Sequence, residues 1–180
     1  MQAQPFRLVR QDLGALPIFD QTIQRIELLE YLTEAMGQAR YAEAILLLLK
    51  NILIERNALY AIREWAAAYD PALVYGGGYG DDVLARALDR LFEADRASLL
   101  TRVVLHAVKT DAVDLGQIHQ DTTSVKLAGA YVNQRRSALQ LARGYSKDHR
   151  PDLKQLVYEL SVTHDGAVPE IGRASCRERV

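Results

Sequence analysis

QIHQDTTSVKL, residues 117–127, is where the chain changes its periodicity. Five of its eleven positions, Ile118, Thr122, Thr123, Val125 and His119, are β-branched or aromatic. The stretch is rich in β-branched residues and predicts a strand. Upstream, everything to about residue 115 reads as helix. Ile23, Ile26, Leu28, Leu29 and Leu32 form a 3.6-residue stripe behind Asp20, a candidate N-cap. Ala44 to Leu53 is apolar nearly all round, which marks a helix central to a bundle. A short helix from about Leu59 to Tyr69 carries Trp65 and stops before Pro71. Two more follow, one a cleanly capped helix from Asp81 with Val83, Leu84, Ala87, Leu88 and Leu91 inward, the other over about Ala97 to Lys109. Short loops between helices predict an all-α domain over residues 1–115.

Downstream of residue 127 the pattern stays non-helical. Residues 132–152 are polar and basic, with a short strand conceivable over Ala138 to Ala142. Gln155 to Thr163, QLVYELSVT, alternates apolar residues at Leu156, Tyr158, Leu160 and Val162 and predicts a second strand with that side inward. Asp165-Gly166 favours a tight hairpin turn, and Ala167 to Glu170 begins the returning strand. The class is therefore α+β. One strand, a loop and an interrupted hairpin are too few to be expected to form a sheet with a buried face, so residues 116–170 read as the opening of a truncated domain.

The composition narrows the function classes. With 49% apolar and 25% charged residues the chain is globular in type, not a disordered tail. Its single cysteine, Cys176, excludes a disulfide framework and a cysteine-ligated zinc site. The longest apolar stretch, Ala44 to Ile54, contains Lys50 and Asn51 and falls short of the roughly 20 residues a bilayer requires. The N-terminal MQAQPFRLVRQD lacks the apolar stretch of a signal peptide, which sets the expectation of a cytoplasmic protein without membrane partners. The last ten residues, IGRASCRERV, resemble one reading frame of a common short-read sequencing adapter, so residues 171–180 are read as a non-native tail. Removing Arg173, Arg177, Arg179 and Glu178 with that tail leaves 19 basic against 22 acidic groups, a slightly acidic chain.

Two clusters bear chemistry. Asp121 sits inside the predicted strand and is followed by Thr122, Thr123 and Ser124. A carboxylate in such a place either bonds its own backbone or supplies a hard oxygen ligand to magnesium, with further carboxylates needed from elsewhere. His119 falls on the same side of the strand, where a histidine is more often a packed side chain than a ligand. The second cluster, RGYSKDHRPDLK over residues 143–154, holds Arg143, Lys147, His149, Arg150 and Lys154. Counting Arg135 and Arg136, residues 135–154 carry six basic and two acidic groups. Such a run is either a solvated loop or a surface that contacts phosphates, with Tyr145 available to stack on a base. YGGGYG, residues 75–80, has no strand before it and no Lys-Ser/Thr after it, which excludes a dinucleotide fingerprint and a phosphate loop and leaves a flexible connection. No G-x-S-x-G elbow is present for a serine hydrolase.

HQDTTS (119–124), GYSKDHRPDLKQ (144–155) and the hairpin VTHDGAVPE (162–170) together resemble bacterial insertion-sequence transposases of the DDE class. Within that class they are similar to the insertion-sequence-four-like group, whose catalytic core is RNase H-like. LGALPIFD (13–20), residues 59–65 and DDVLARALDRL (81–91) resemble the helical domain that precedes such a core. The resemblance spans nearly all of residues 8–170. It implies that Asp121 is the first acid of a catalytic triad on the first core strand and a ligand to Mg2+. It further implies that Arg143, Lys147, His149, Arg150 and Lys154 contact transposon-end DNA and that the protein works as a homodimer or synaptic oligomer. The second Asp and the Glu of such a triad have no counterpart here, since Asp148, Asp152 and Asp165 stand in the wrong elements. On this resemblance the chain is an inactive N-terminal fragment of an enzyme that cuts and joins DNA by metal-dependent transesterification. The competing reading is a helical protein-interaction module without catalytic or DNA-binding function. Residues 1–118, with 12 basic and 16 acidic groups, do not advertise a DNA-binding face.

Overall fold

The structure is a computed structural model that describes residues 10–129, 142–143 and 152–175. It confirms the α+β class. Two compact units, Met1–Val103 and Val104–Val180, divide the chain within its last helix.

In the first unit Leu16 and Pro17 open α1 (Leu16–Arg25), the fixed φ of proline suiting a first turn. Asp20 therefore lies inside α1 and does not cap a helix, contrary to the sequence expectation. Glu27, at φ 52°, interrupts the stripe that runs on through Leu32 and starts α2 (Leu28–Met36). Gly37 closes α2 in the left-handed conformation and its N–H donates to the Thr33 carbonyl. The central helix, α3 (Ala39–Ile54), buries Ala42, Ala44, Leu46 and Leu47 completely. Each such leucine contributes about 1.5–3 kcal/mol by leaving water. The far side of α3 is open, with Ile52 and Leu53 more than half exposed, so α3 is not covered all round as its sequence suggested.

A 3-10 turn (Leu59–Ala61) leads into α4 (Ile62–Ala66), where Ile62, Trp65 and Ala66 join the core. Tyr75, Gly76 and Gly77 have successive positive φ angles of 52°, 75° and 61°. This left-handed run turns the chain so that Tyr79 is buried, and a Cβ on Gly77 would meet the Ala66 Cβ at 3.5 Å. The YGGGYG segment is thus pinned at its tyrosines. α5 (Asp81–Glu93) starts at Asp81 as expected, but its N-cap residue Gly80 supplies no side-chain cap; the helix buries Leu84 and Ala87 while Leu88 stays 44% exposed. Asp95 caps α6 (Arg96–Thr110) by accepting the Ser98 N–H at 3.1 Å.

The second unit holds an antiparallel sheet with β3 (Lys154–Thr163) at its centre. β1 (Ile118–Leu127) pairs along one edge of β3, in unbroken register from Ile118↔Thr163 to Leu127↔Lys154. β2 (Ala142–Arg143) pairs with β3 at Gln155 and Lys154, and β4 (Pro169–Ser175) pairs with it through Val162 to Val157. The β3–β4 turn contains Asp165 and Gly166 (φ 72°), as the dipeptide predicts. β4 runs on through Ile171–Ser175, because a backbone ladder accepts almost any side chains.

Side-chain alternation divides the β1–β3 ladder into two faces. Gln155, Val157 and Thr163 are buried on one, Leu156, Leu160 and Val162 half-buried and Tyr158 42% exposed on the other. The expected orientation of β3 is therefore reversed, while Ile118, Gln120, Thr122 and Lys126 on the same face of β1 stay exposed. Apolar alternation shows that the two sides differ but not which one is covered.

Candidate functional site

Asp121 is the fourth residue of β1 and stands opposite Leu160. Its side chain is exposed, so it carries no burial penalty. Oδ1 accepts the Thr122 N–H at 2.7 Å, a local bond of the backbone-seeking kind, and this holds the carboxylate in one orientation. With His119, Thr123, Tyr158, Leu160 and Val162 it lines a cavity of ≈ 270 Å³ on the half-covered face of the sheet. Asp121 fits one part of a magnesium site, a hard oxygen on a rigid strand. Among the described residues, however, no three His, Cys, Asp or Glu side chains stand together as a metal-binding group. A complete two-metal site is therefore not formed by these residues, and no reaction step is derived through a metal.

Of the five basic residues predicted to meet DNA, Arg143 and Lys154 lie among the described residues, while Lys147, His149 and Arg150 lie outside them. Arg143 is exposed and stands directly across from Lys154 in the β2–β3 ladder. Two cations in opposite positions repel unless anions accompany them. The register also puts both on the face that carries Asp121, because Lys154 pairs with Leu127, three alternations along β1 from Asp121. Candidate acid and candidate phosphate contacts thus share one side of the sheet.

His119 is exposed, and its partner is a residue sequence reasoning did not single out. His119 Nε2 and His164 Nδ1 are 2.9 Å apart, with ring centroids 5.2 Å apart and planes inclined at 50°. His164 immediately precedes the Asp165-Gly166 turn, and its N–H donates to the Gln117 carbonyl at 2.9 Å. Counting back from that turn to the strand before residue 127 was the available signal.

Sequence reading also missed a buried polar group in the helical unit. Lys50 is fully buried; its ammonium forms an ion pair with Asp20, donates to the Leu73 carbonyl at 2.7 Å and lies 4.2 Å from the Tyr75 ring centroid. Burial, the dominant cause, holds the Lys50 ammonium below its ordinary pKa despite Asp20. Tyr79 donates to Glu43 Oε2, and burial followed by that carboxylate raises the phenol well above its ordinary value. Burial raises Tyr75 likewise, with Asp20 and Glu43 adding to it. Every charge here has a partner, so the cluster organises the α1–α3 core and offers no reactive group.

No described helix is long and apolar enough to cross a membrane. Comparison of the chain with known protein families, curated proteins and solved structures found no match.

Proposed function

We propose that the chain is the opening portion of a DDE-class transposase whose second unit begins an RNase H-like catalytic core. The carrying observation is Asp121, an exposed carboxylate held at mid-strand on the same sheet face as Arg143 and Lys154. Phosphodiester transesterification by such enzymes uses Mg2+ to activate the attacking oxygen and stabilise the leaving one. Asp121 supplies one donor to that task, and the other two acids would come from sequence outside the described residues. In this reading Arg143 and Lys154, with Lys147, His149 and Arg150, hold the backbone of transposon-end DNA, and the parent enzyme acts in the cytoplasm as a homodimer or synaptic oligomer. The resemblance in HQDTTS and GYSKDHRPDLKQ supports the class; the local geometry of β1 supports the role of Asp121.

The test uses the gene product with its complete reading frame. The proposal expects Mg2+-dependent nicking and joining of the element's own terminal DNA, lost on Asp121→Asn with DNA binding retained. Strand transfer that survives Asp121→Asn overturns the assignment. Absence of DNA binding in the wild type favours the helical interaction module instead.

A further inference from the structure

We propose that the helical unit binds a guanidinium group in the cavity formed by the end of α3, α4 and the segment that precedes α1. This site does not rest on the transposase reading.

The cavity, of ≈ 250 Å³, is lined chiefly by Asp12, Glu55, Asn57, Glu64, Trp65 and Tyr69. Drug-sized ligands usually occupy roughly 300 Å³ or more, so this one takes a group of side-chain size. Its wall holds three acids and no base. Arg10 reaches Asp12 only at 3.8 Å and from a side chain 93% exposed. Among the described residues Glu55 and Glu64 have no ion-pair partner.

Negative charge alone would describe a solvated surface; Trp65 sets this place apart. It is 7% exposed, and its indole N–H makes no hydrogen bond, although the Tyr69 hydroxyl lies close by. That hydroxyl donates to Glu55 Oε1 at 3.2 Å, and Asn57 Nδ2 donates to Glu55 Oε2 at 3.2 Å. A buried donor left unpaired is costly, and one in the wall of a cavity calls for an oxygen on the occupant.

The acids do not converge closely enough to hold a metal ion, so the cation they suit has its charge spread out. A guanidinium meets this condition. Its planar fork of N–H donors serves carboxylates on different sides at once, and it is weakly hydrated and packs against aromatic rings. The Trp65 and Tyr69 rings supply that wall, with centroids 5.0 Å apart and planes inclined at 50°. An ammonium is a compact, strongly hydrated point charge and fits less well. Free arginine and an arginine residue of a peptide both carry the guanidinium together with an oxygen for Trp65. The cavity is also built in advance. The Asp12 N–H donates to the Ala68 carbonyl at 2.9 Å and the Asp12 carbonyl accepts the Asp70 N–H at 3.3 Å, which clamps the segment before α1 along the end of α4. Little ordering remains to be done when a ligand arrives.

Trp65 is the only tryptophan of the chain, so its emission reports on the cavity. The experiment titrates the full chain at constant ionic strength with L-arginine, N-acetylarginine amide, agmatine and L-lysine. The expected result is a saturable change in Trp65 emission with an arginine form and none with L-lysine. Agmatine, which lacks the oxygen, should bind about 2- to 10-fold more weakly. A response to the capped amide supports a peptide side chain as the occupant, and a response to L-arginine alone supports the free amino acid. Glu64→Gln should weaken binding by up to about 5-fold, the range of an exposed ion pair, while Glu93→Gln on α5 leaves it unchanged. No saturable change with either arginine form, an equal change with L-lysine, or affinity that survives the paired Glu55→Gln, Glu64→Gln change overturns the site. The indole N–H resonance of the wild type, which should shift with L-arginine, keeps the test decisive even if a variant misfolds.

Discussion

Asp121 and Lys154 lie on one face of the β1–β3 ladder, separated along β3 by the six-residue step from Leu160, the partner of Asp121, to Lys154 itself. At about 3.4 Å per residue that is about 20 Å. An acid and a cation at this separation do not neutralise each other, since it exceeds the Debye length of about 8 Å at physiological salt. On the proposed function they would serve different points along one extended polyanion. In that reading a strand would lie lengthwise along the sheet face, with the reacting position at one end.

Replacing Arg143 and Lys154 by Ala, together with Lys147 and Arg150, should weaken DNA binding by a similar factor for all sequences. Each lost phosphate contact lowers the slope of log affinity against log salt by about 1. Fluorescence anisotropy over a salt series checks this; an unchanged slope removes the basic segment from the interface.

Asp121→Asn should leave stability within about 0.5 kcal/mol of wild type, because the side chain is exposed and bonded only locally. In the complete enzyme the same change should lower the strand-transfer rate by more than the ~10–100-fold that loss of a supporting partner costs. Urea melts and a cleavage assay separate the two effects.

Asp20→Ala should destabilise the helical unit by about 3–5 kcal/mol, since it leaves the Lys50 ammonium buried without its carboxylate. Lys50→Met should cost much less, because it removes the charge and keeps the volume. Denaturant unfolding of the three proteins reads the order; equal losses for both variants contradict the ion-pair account.

Stability should fall as pH rises above about 10, the ordinary tyrosine value. Tyr75 and Tyr79 have raised values when folded, so between the unfolded and folded pKa the native state holds more protons and loses stability with increasing pH. Lys50, lowered when folded, acts oppositely: its contribution to stability rises as pH climbs towards its ordinary value and then levels off. Two phenols outweigh one amine. The paired Tyr75→Phe, Tyr79→Phe change should shallow the decline in chemical-denaturation midpoints above pH 10.

Gly37→Ala should cost about 1 kcal/mol, although nothing lies within 4 Å of the added Cβ, because φ of 76° is unfavourable to an L side chain. A urea midpoint equal to wild type contradicts a left-handed cap at α2.

Elements with strong periodicity were readable directly. The strand over 117–127 appears as β1, that over 155–163 as β3, and the Asp165-Gly166 turn joins β3 to β4, because alternation and turn chemistry are local properties. Long-range partners were not readable in this way. Asp20 looked like a helix cap because its tie to Lys50 depends on how α1 packs on α3. Leu156 and Tyr158 looked inward because alternation is symmetric until another layer covers one side. His164 passed unnoticed because only the ladder register brings it to His119. The candidate site was half legible: Asp121 stands out by residue type within its strand, whereas its alignment with Arg143 and Lys154 required the pairing of three strands.

The central claim, that this chain opens a DDE transposase, is tested most directly by sequencing the source DNA across the Glu170 codon in independent genomic clones. The account predicts a frame that departs from IGRASCRERV after Glu170, continues through two further acidic positions of a catalytic core, and is followed by an inverted repeat. Recurrence of those ten codons and a stop in every clone would contradict it.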